Sequence, residues 1–118
     1  MEDKLIELLE RFNLPVMRQG SLAPDEAYPD TFLTFWDTGE DEHSAYDNNT
    51  KLVDYAYMVN VYSTSPDRAY SLLGQVRTTL KAEGWIITSR AYDAASDEIT
   101  HVGRGMNVAF IGTEGAEG

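Results

Sequence analysis

Residues 52–88, LVDYAYMVNVYSTSPDRAYSLLGQVRTTLKAEGWIIT, decide the architecture. From Leu52 to Ser63 the chain alternates, with Val53, Tyr55, Tyr57, Val59 and Val61 on one face. Asp54, Ala56, Met58, Asn60 and Tyr62 form the other. A period of two held over so many residues specifies a strand central to a sheet. A helix start follows. Ser65 suits the N-cap, Pro66 the first helical position, and Asp67 the positive end of the helix dipole. Ala69, Leu73, Val76 and Leu80 trace the stripe to be buried, with Tyr70 and Leu72 at its margins. Gly84 is placed to close the helix as its C′ residue. Trp85-Ile86-Ile87-Thr88 then opens a strand expected to run to about Tyr92.

Upstream, Leu5, Leu8, Leu9 and Phe12 recur at helical spacing, which predicts a short amphipathic helix over 3–12, stopped by Asn13 and Pro15. Residues 15–30 hold three prolines and few periodic positions, the pattern of a connector. The tract Thr31-Phe32-Leu33-Thr34-Phe35-Trp36 has strand composition, and its continuous apolarity implies burial on both faces or cover from a neighbouring subunit. Residues 37–49 are the most acidic stretch and read as a long loop or protruding hairpin, with Ser44-Ala45-Tyr46 as its returning arm. Downstream, 93–97 is turn-like. Residues 98–111 form a last strand, in which Gly103 and Gly105 mark a bulge or a close backbone approach. Residues 112–118 lack core-forming side chains and are expected to be disordered. The expectation is one α+β domain over 1–111 followed by an acidic tail over 112–118. Its sheet is mostly antiparallel, of four to five strands, with two helices packed on one face.

Composition narrows the function classes. A chain of 118 residues suits one core, and 42% hydrophobic residues suffice to build it. With no cysteine there is no disulfide framework, thiolate metal site or cysteine nucleophile, which fits a reducing interior. The amino-terminal Met-Glu-Asp-Lys does not read as a signal peptide, and no apolar run is long enough to span a bilayer. The expected setting is therefore soluble and cytoplasmic. A net charge of −11 argues against ordinary nucleic-acid binding, which needs clustered Lys and Arg. It favours solubility, or a surface that nucleic acid passes without sticking.

Candidate chemistry is sparse. The acidic segment does not hold the ligand register of an EF-hand, so a solvated charge cluster is favoured over a surface Mg²⁺ or Ca²⁺ site. His43 and His101 are far apart and form no zinc pair. No nucleophile elbow, P-loop or dinucleotide fingerprint occurs, and no carboxylate pair is singled out for acid–base work. No cofactor or enzymatic activity is expected. Gly103-Arg104-Gly105 is too short to cradle a phosphate; Arg104 reads as an exposed base or as a partner for an acidic residue of a neighbouring subunit. Tyr28, Tyr46, Tyr62, Tyr70 and Tyr92 exceed what one small core can bury, and aromatic residues concentrate at interfaces. The plainer alternative is that they lie half-buried at sheet edges.

Several of these segments together resemble a known family. They are Ala23-Pro24-Asp25-Glu26-Ala27-Tyr28-Pro29-Asp30 leading into 31–36, Tyr57-Met58-Val59-Asn60-Val61-Tyr62-Ser63 with its following helix, and Tyr92-Asp93-Ala94-Ala95-Ser96-Asp97-Glu98. Thr100-His101-Val102-Gly103-Arg104-Gly105-Met106-Asn107-Val108 completes the set. Over residues 1–111 the chain resembles the tail completion, or tail terminator, proteins of long, non-contractile-tailed phages and prophages. The resemblance implies a ring, of six copies, on the head-proximal end of the tail tube. Such a ring stops tube polymerisation, joins tail to head by docking the tail tube protein and the neck proteins, and lets DNA pass through its lumen. It implies a place in the virion at the tail–head junction, with host cytoplasm as the site of assembly. Under this expectation Asp37, Glu40, Asp41 and Glu42 face the lumen or an axial partner as repulsive charge, and Tyr62 and Arg104 lie at subunit contacts. A head–tail connector of the neck is the nearest alternative. An acidic inhibitor of a host DNA-binding protein is the alternative from another class.

Overall fold

The computed structural model describes residues 2–18, 29–44, 51–96 and 100–113, and gives the backbone only for 40–44, 51, 52 and 113. The fold is α+β. Eight elements follow in the order α1 (Glu2–Glu10), β1 (Val16–Arg18), β2 (Thr31–Ser44), β3 (Lys51–Ser63), α2 (Pro66–Ala82), β4 (Ile86–Ile87), β5 (Tyr92–Ala94) and β6 (Val102–Thr113). The six strands make one mixed sheet in the order β1-β2-β3-β6-β4, with β5 also on β6. Only the β1–β2 pairing is parallel.

β3 is the axis of this sheet. It pairs antiparallel with β2 from Thr31↔Ser63 to Ser44↔Lys51, and with β6 from Ser63↔Val102 to Leu52↔Thr113. Its odd-numbered residues face the helices. Leu33 and Phe35 of β2, Tyr57, Val59 and Val61 of β3, and Met106 and Val108 of β6 meet Leu5, Leu8 and Leu9 of α1 and the apolar stripe of α2. Each such fully buried side chain contributes about 1.5–3 kcal/mol relative to its exposed state.

The termini of α2 explain its bounds. Ser65 is extended and its hydroxyl accepts from the Arg68 amide at 3.4 Å, with Pro66 at the start of the first turn. At the far end the Trp85 amide reaches the Leu80 carbonyl at 2.9 Å and the Gly84 amide reaches Lys81 at 3.2 Å. These two bonds form a Schellman closure, and the φ of +93° at Gly84 is what such a C′ residue requires. The closure swings Trp85 under the sheet, where it is buried against Tyr57 and Phe110.

The structure revises several boundaries. Of the two expectations for the acidic run, a long loop or a protruding hairpin, the structure has the hairpin: β2 continues to Ser44 past a bulge at Asp37/Gly39, where the Asp37 carboxylate accepts from the Gly39 amide at 2.8 Å, and Ser44 ends this arm instead of opening the returning one, which is β3 from Lys51. Pairing along the whole of β3 outweighs the low strand propensity of Gly, Asp and Glu there. The expected connector contains β1, whose three residues are too few to show a period. The strand expected from Trp85 to Tyr92 is two short pieces, separated where the Ser89 hydroxyl takes over the Asn107 amide at 2.9 Å. β5 includes Asp93 and Ala94 of the expected turn, and Gly112 and Thr113 of the expected tail belong to β6. The tip of the β2–β3 hairpin and residues 114–118 lie outside the described residues.

Glycines 103 and 105 mark a close approach. A Cβ on Gly103 would stand 2.6 Å from the Ala94 carbonyl oxygen and 2.7 Å from a ring carbon of Tyr62, and one on Gly105 would run into the Asn60 side chain. Gly103→Ala is expected to lower stability by about 1–3 kcal/mol through overpacking. Gly74→Ala, whose Cβ meets nothing within 4 Å on a helix, is expected to raise it by up to about 1 kcal/mol. Urea denaturation of the two variants measures both, and equal stability of Gly103→Ala and the parent would contradict the packing described.

Candidate functional site

The even-numbered face of β3 carries no helix among the described residues. Cross-strand register places Phe32, Thr34 and Trp36 of β2 on this face beside Tyr62, Asn60 and Met58 of β3. Gly103, Gly105, Asn107, Ala109 and Ile111 of β6 continue it, and Tyr92, Ala94 and Ile86 complete it from the short edge strands. The half near Gly103 is closed by its own aromatics. Phe32 stacks on Tyr62 with ring centroids 5.2 Å apart, Phe32 meets the His101 ring edge-on at 5.8 Å, and the Tyr62 hydroxyl donates to the Ala95 carbonyl at 3.3 Å. The His101 Nε2–H donates to the Pro29 carbonyl at 2.7 Å, which requires that nitrogen to carry the proton.

The other half is open. Trp36, Ile86 and Ile111 are 46%, 49% and 48% exposed, and all three lie on this one face. Between them stand Met58, Ala56, Ala109 and Asn107, with Asp54 as the one charged residue of the described side chains. In a chain that is 25% charged, a sheet face so poor in charge matches the compositional mark of an interface core.

A second feature lies on the helix side, at the β4–β5 edge. Arg104, from β6, lays its guanidinium over the Tyr70 ring of α2, 4.4 Å from the centroid, and bonds the Asp93 carboxylate at 2.8 Å. Its side chain is only 16% exposed. Beside it a cleft of about 110 Å³ runs between α2 and the sheet edge, floored by Met106 and Ile87 and reaching Gly74 and Arg77. Tyr70, Gly74 and Arg77 stand at i, i+4 and i+7, so one helical stripe delivers all three. Arg77 is exposed.

The residues picked out from sequence are not gathered in one place. Tyr62, expected at a subunit contact, is buried within its own chain because its ring covers Gly103. Arg104, expected there too, is occupied by Asp93 and Tyr70 of the same chain. Asp37 is exposed at the bulge, and Glu40, Asp41 and Glu42 fall at β2 positions opposite Tyr55, Asp54 and Val53; the side chains of the last three lie outside the described residues. Tyr92 is half-buried; burial first, then neighbouring Tyr62, pushes its phenol above the usual value, and its hydroxyl donates to Asn107 at 2.9 Å. Tyr28 and Tyr46 lie outside the described residues. Among the described residues no group of His, Asp and Glu is arranged to hold a metal ion, and no helix is long and apolar enough to cross a membrane. Trp36, Ile86, Ile111 and Arg77 were not legible as a set, because only the register and the chain reversal at α2 bring them to their surfaces.

Arg104→Lys is expected to cost about 1–2 kcal/mol despite keeping the charge, because an ammonium neither stacks on Tyr70 as a plane nor offers a fork to Asp93. A double-mutant cycle with Tyr70→Leu, read by urea denaturation, should return a coupling of about 0.5–1 kcal/mol; additive losses would place Arg104 away from the ring. No protein-family model matches this chain, and no curated protein matches it.

Proposed function

We propose that this chain is a structural assembly protein that forms a ring with further copies of itself at the head-proximal end of a phage tail tube, ends tube growth there and joins the tail to the head. The observation that carries the reading is the charge-poor sheet face with Trp36, Ile86 and Ile111 half-exposed together. A folded monomer gains nothing from that exposure, whereas a neighbouring subunit seated on it would remove apolar surface worth about 25 cal/mol per Å² from water. Heterologous contacts of one patch with a different patch close into rings when the rotation permits. The resemblance of residues 1–111 to tail terminator proteins supplies the tail end as the place, and the acidity of the chain suits a ring that DNA traverses without binding. A neck connector would use the same kind of ring and differ in its docking partner.

Sedimentation and negative-stain imaging of concentrated protein, at several salt and Mg²⁺ levels and with purified tail tubes, test the reading. A closed ring with an axial hole, free or on tube ends, is expected. Trp36→Glu combined with Ile111→Lys should abolish it while leaving the thermal unfolding transition within a few degrees of the parent, since both sites are half-exposed. A chain that stays monomeric in every condition and leaves tubes uncapped would overturn the proposal.

A further inference from the structure

The outward side of α2 is unlike the rest of this acidic surface. Arg68, Arg77 and Lys81 against Asp67 give the helix a net charge of +2, which leaves −13 for the rest of a chain whose total is −11. None of these three cations makes an ion pair among the described residues. Beside them runs a band of four exposed, uncharged residues, Ser71, Gly74, Gln75 and Thr78. At 3.6 residues per turn the four lie within about 100° of arc, on one side of the helix.

The band is built to be covered. The Thr78 hydroxyl donates to the Gly74 carbonyl at 3.1 Å, and the Gln75 amide donates to the Ser71 hydroxyl at 3.4 Å. Both donors are satisfied within the helix, so a partner can bury them without orphaning either. A Cβ on Gly74 would meet nothing within 4 Å, so no contact of this chain calls for glycine there, and a glycine in mid-helix weakens the helix relative to alanine. Over it lies a shallow hollow of about 500 Å³, bounded by Phe12 on one side and by Ser71, Gln75 and Thr78 on the other. It is wide enough to take an indole ring.

We propose that this hollow receives Trp36 from the open sheet face of a second copy, so that α2 of one copy packs on the even face of the next. The proposal rests on the self-assembly reading and names the other half of its contact. Shape favours this occupant, because half-exposed Trp36, Ile86 and Ile111 stand out from the sheet while small residues line the helix. Charge favours it too: against the net repulsion between acidic copies, the helix of opposite sign is where approach costs least. The geometry gives the contact a direction. α2 covers the odd side of the sheet, and Trp36, Ile86 and Ile111 lie on the even side. The two surfaces are therefore back to front on one molecule, cannot meet within it, and repeat in one sense from copy to copy. That is the heterologous contact a ring needs.

The test blocks each half separately and reads association by sedimentation velocity. Ser71→Glu combined with Thr78→Glu puts two carboxylates into the band at exposed positions. It should raise the concentration for half-association by at least about tenfold. Gly74→Gln should raise the thermal midpoint of the monomer, since glutamine is the better helix former, and still weaken association by filling the hollow. Copies carrying Trp36→Glu and Ile111→Lys keep an intact helix face, and the Ser71→Glu/Thr78→Glu copies keep an intact sheet face. Each should be monomeric alone, and an equal mixture should give a heterodimer and nothing larger, which also shows that both variants are folded.

No heterodimer in the mixture overturns the pairing of these two surfaces. If the helix variants associate as the parent does, the helix half fails and the assembly reading stands. If the parent forms dimers or open chains that need both surfaces but never a ring, the helix-to-sheet contact stands and the ring fails. A parent that is monomeric in every condition, tail tubes included, overturns both.

Discussion

The structure depends on the two-sided pairing of β3. Because β2 and β6 both follow it along nearly its full length, the pleat of this one strand assigns every residue of three strands to a face. A slip of one residue would send Val59 and Val61 outward and turn Asn60 and Tyr62 into the helices, so the buried odd face fixes the register. The glycines lock the same register from the other side. Only at positions 103 and 105 can β6 come close enough for the Tyr62 ring and the Asn60 side chain to lie across it. Pairing this extensive also carries the acidic residues 40–42 into a strand, a conformation their own propensities would not choose.

From this register follow two unlike faces. The odd face is filled by α1 and α2 and needs nothing further. The even face is divided: near Gly103 it is sealed by Phe32, Tyr62 and His101, and near Ala109 it is left with Trp36, Ile86 and Ile111 half in water. The sealed half uses Tyr62, which sequence reasoning expected at an interface; the open half uses Trp36, from the tract expected to be buried or covered by a neighbour, together with Ile86 and Ile111, which it did not single out. Tyr62 is the clearest case. Its ring is the cover that glycine at 103 makes room for, so its size serves the fold.

How much was legible in the sequence varies with the range of the interaction. α2 was readable to the residue, because Ser65, Pro66 and Gly84 act within one turn of where they stand. β3 was readable because alternation over a dozen residues is a local signal. β1 was not, since three residues carry no period and its pairing partner Leu33 lies 17 positions on. The extension of β2 was left open between loop and hairpin for a related reason: residues 37–44 lack strand propensity, and only the partner strand supplies the hydrogen bonds that hold them extended. The cleft is the extreme case. Tyr70, Gly74 and Arg77 share a helical stripe that sequence can show, but Arg104 and Ile87 reach it through pairings made with β6.

The charge distribution gives this arrangement its physical sense. With a net charge of −11, two copies repel at any separation below the screening distance, about 8 Å at physiological salt. That repulsion is least where charge is sparse, as it is among the described side chains on the open half of the even face. Salt screens that repulsion but does not screen apolar burial, which does not depend on charge. On the assembly reading proposed above, the apolar face is the source of contact free energy and the net charge opposes it, more at low salt than at high. On that reading, copies stay apart in dilute solution at low salt and join on the apolar face once salt, or a template that aligns them, offsets the repulsion.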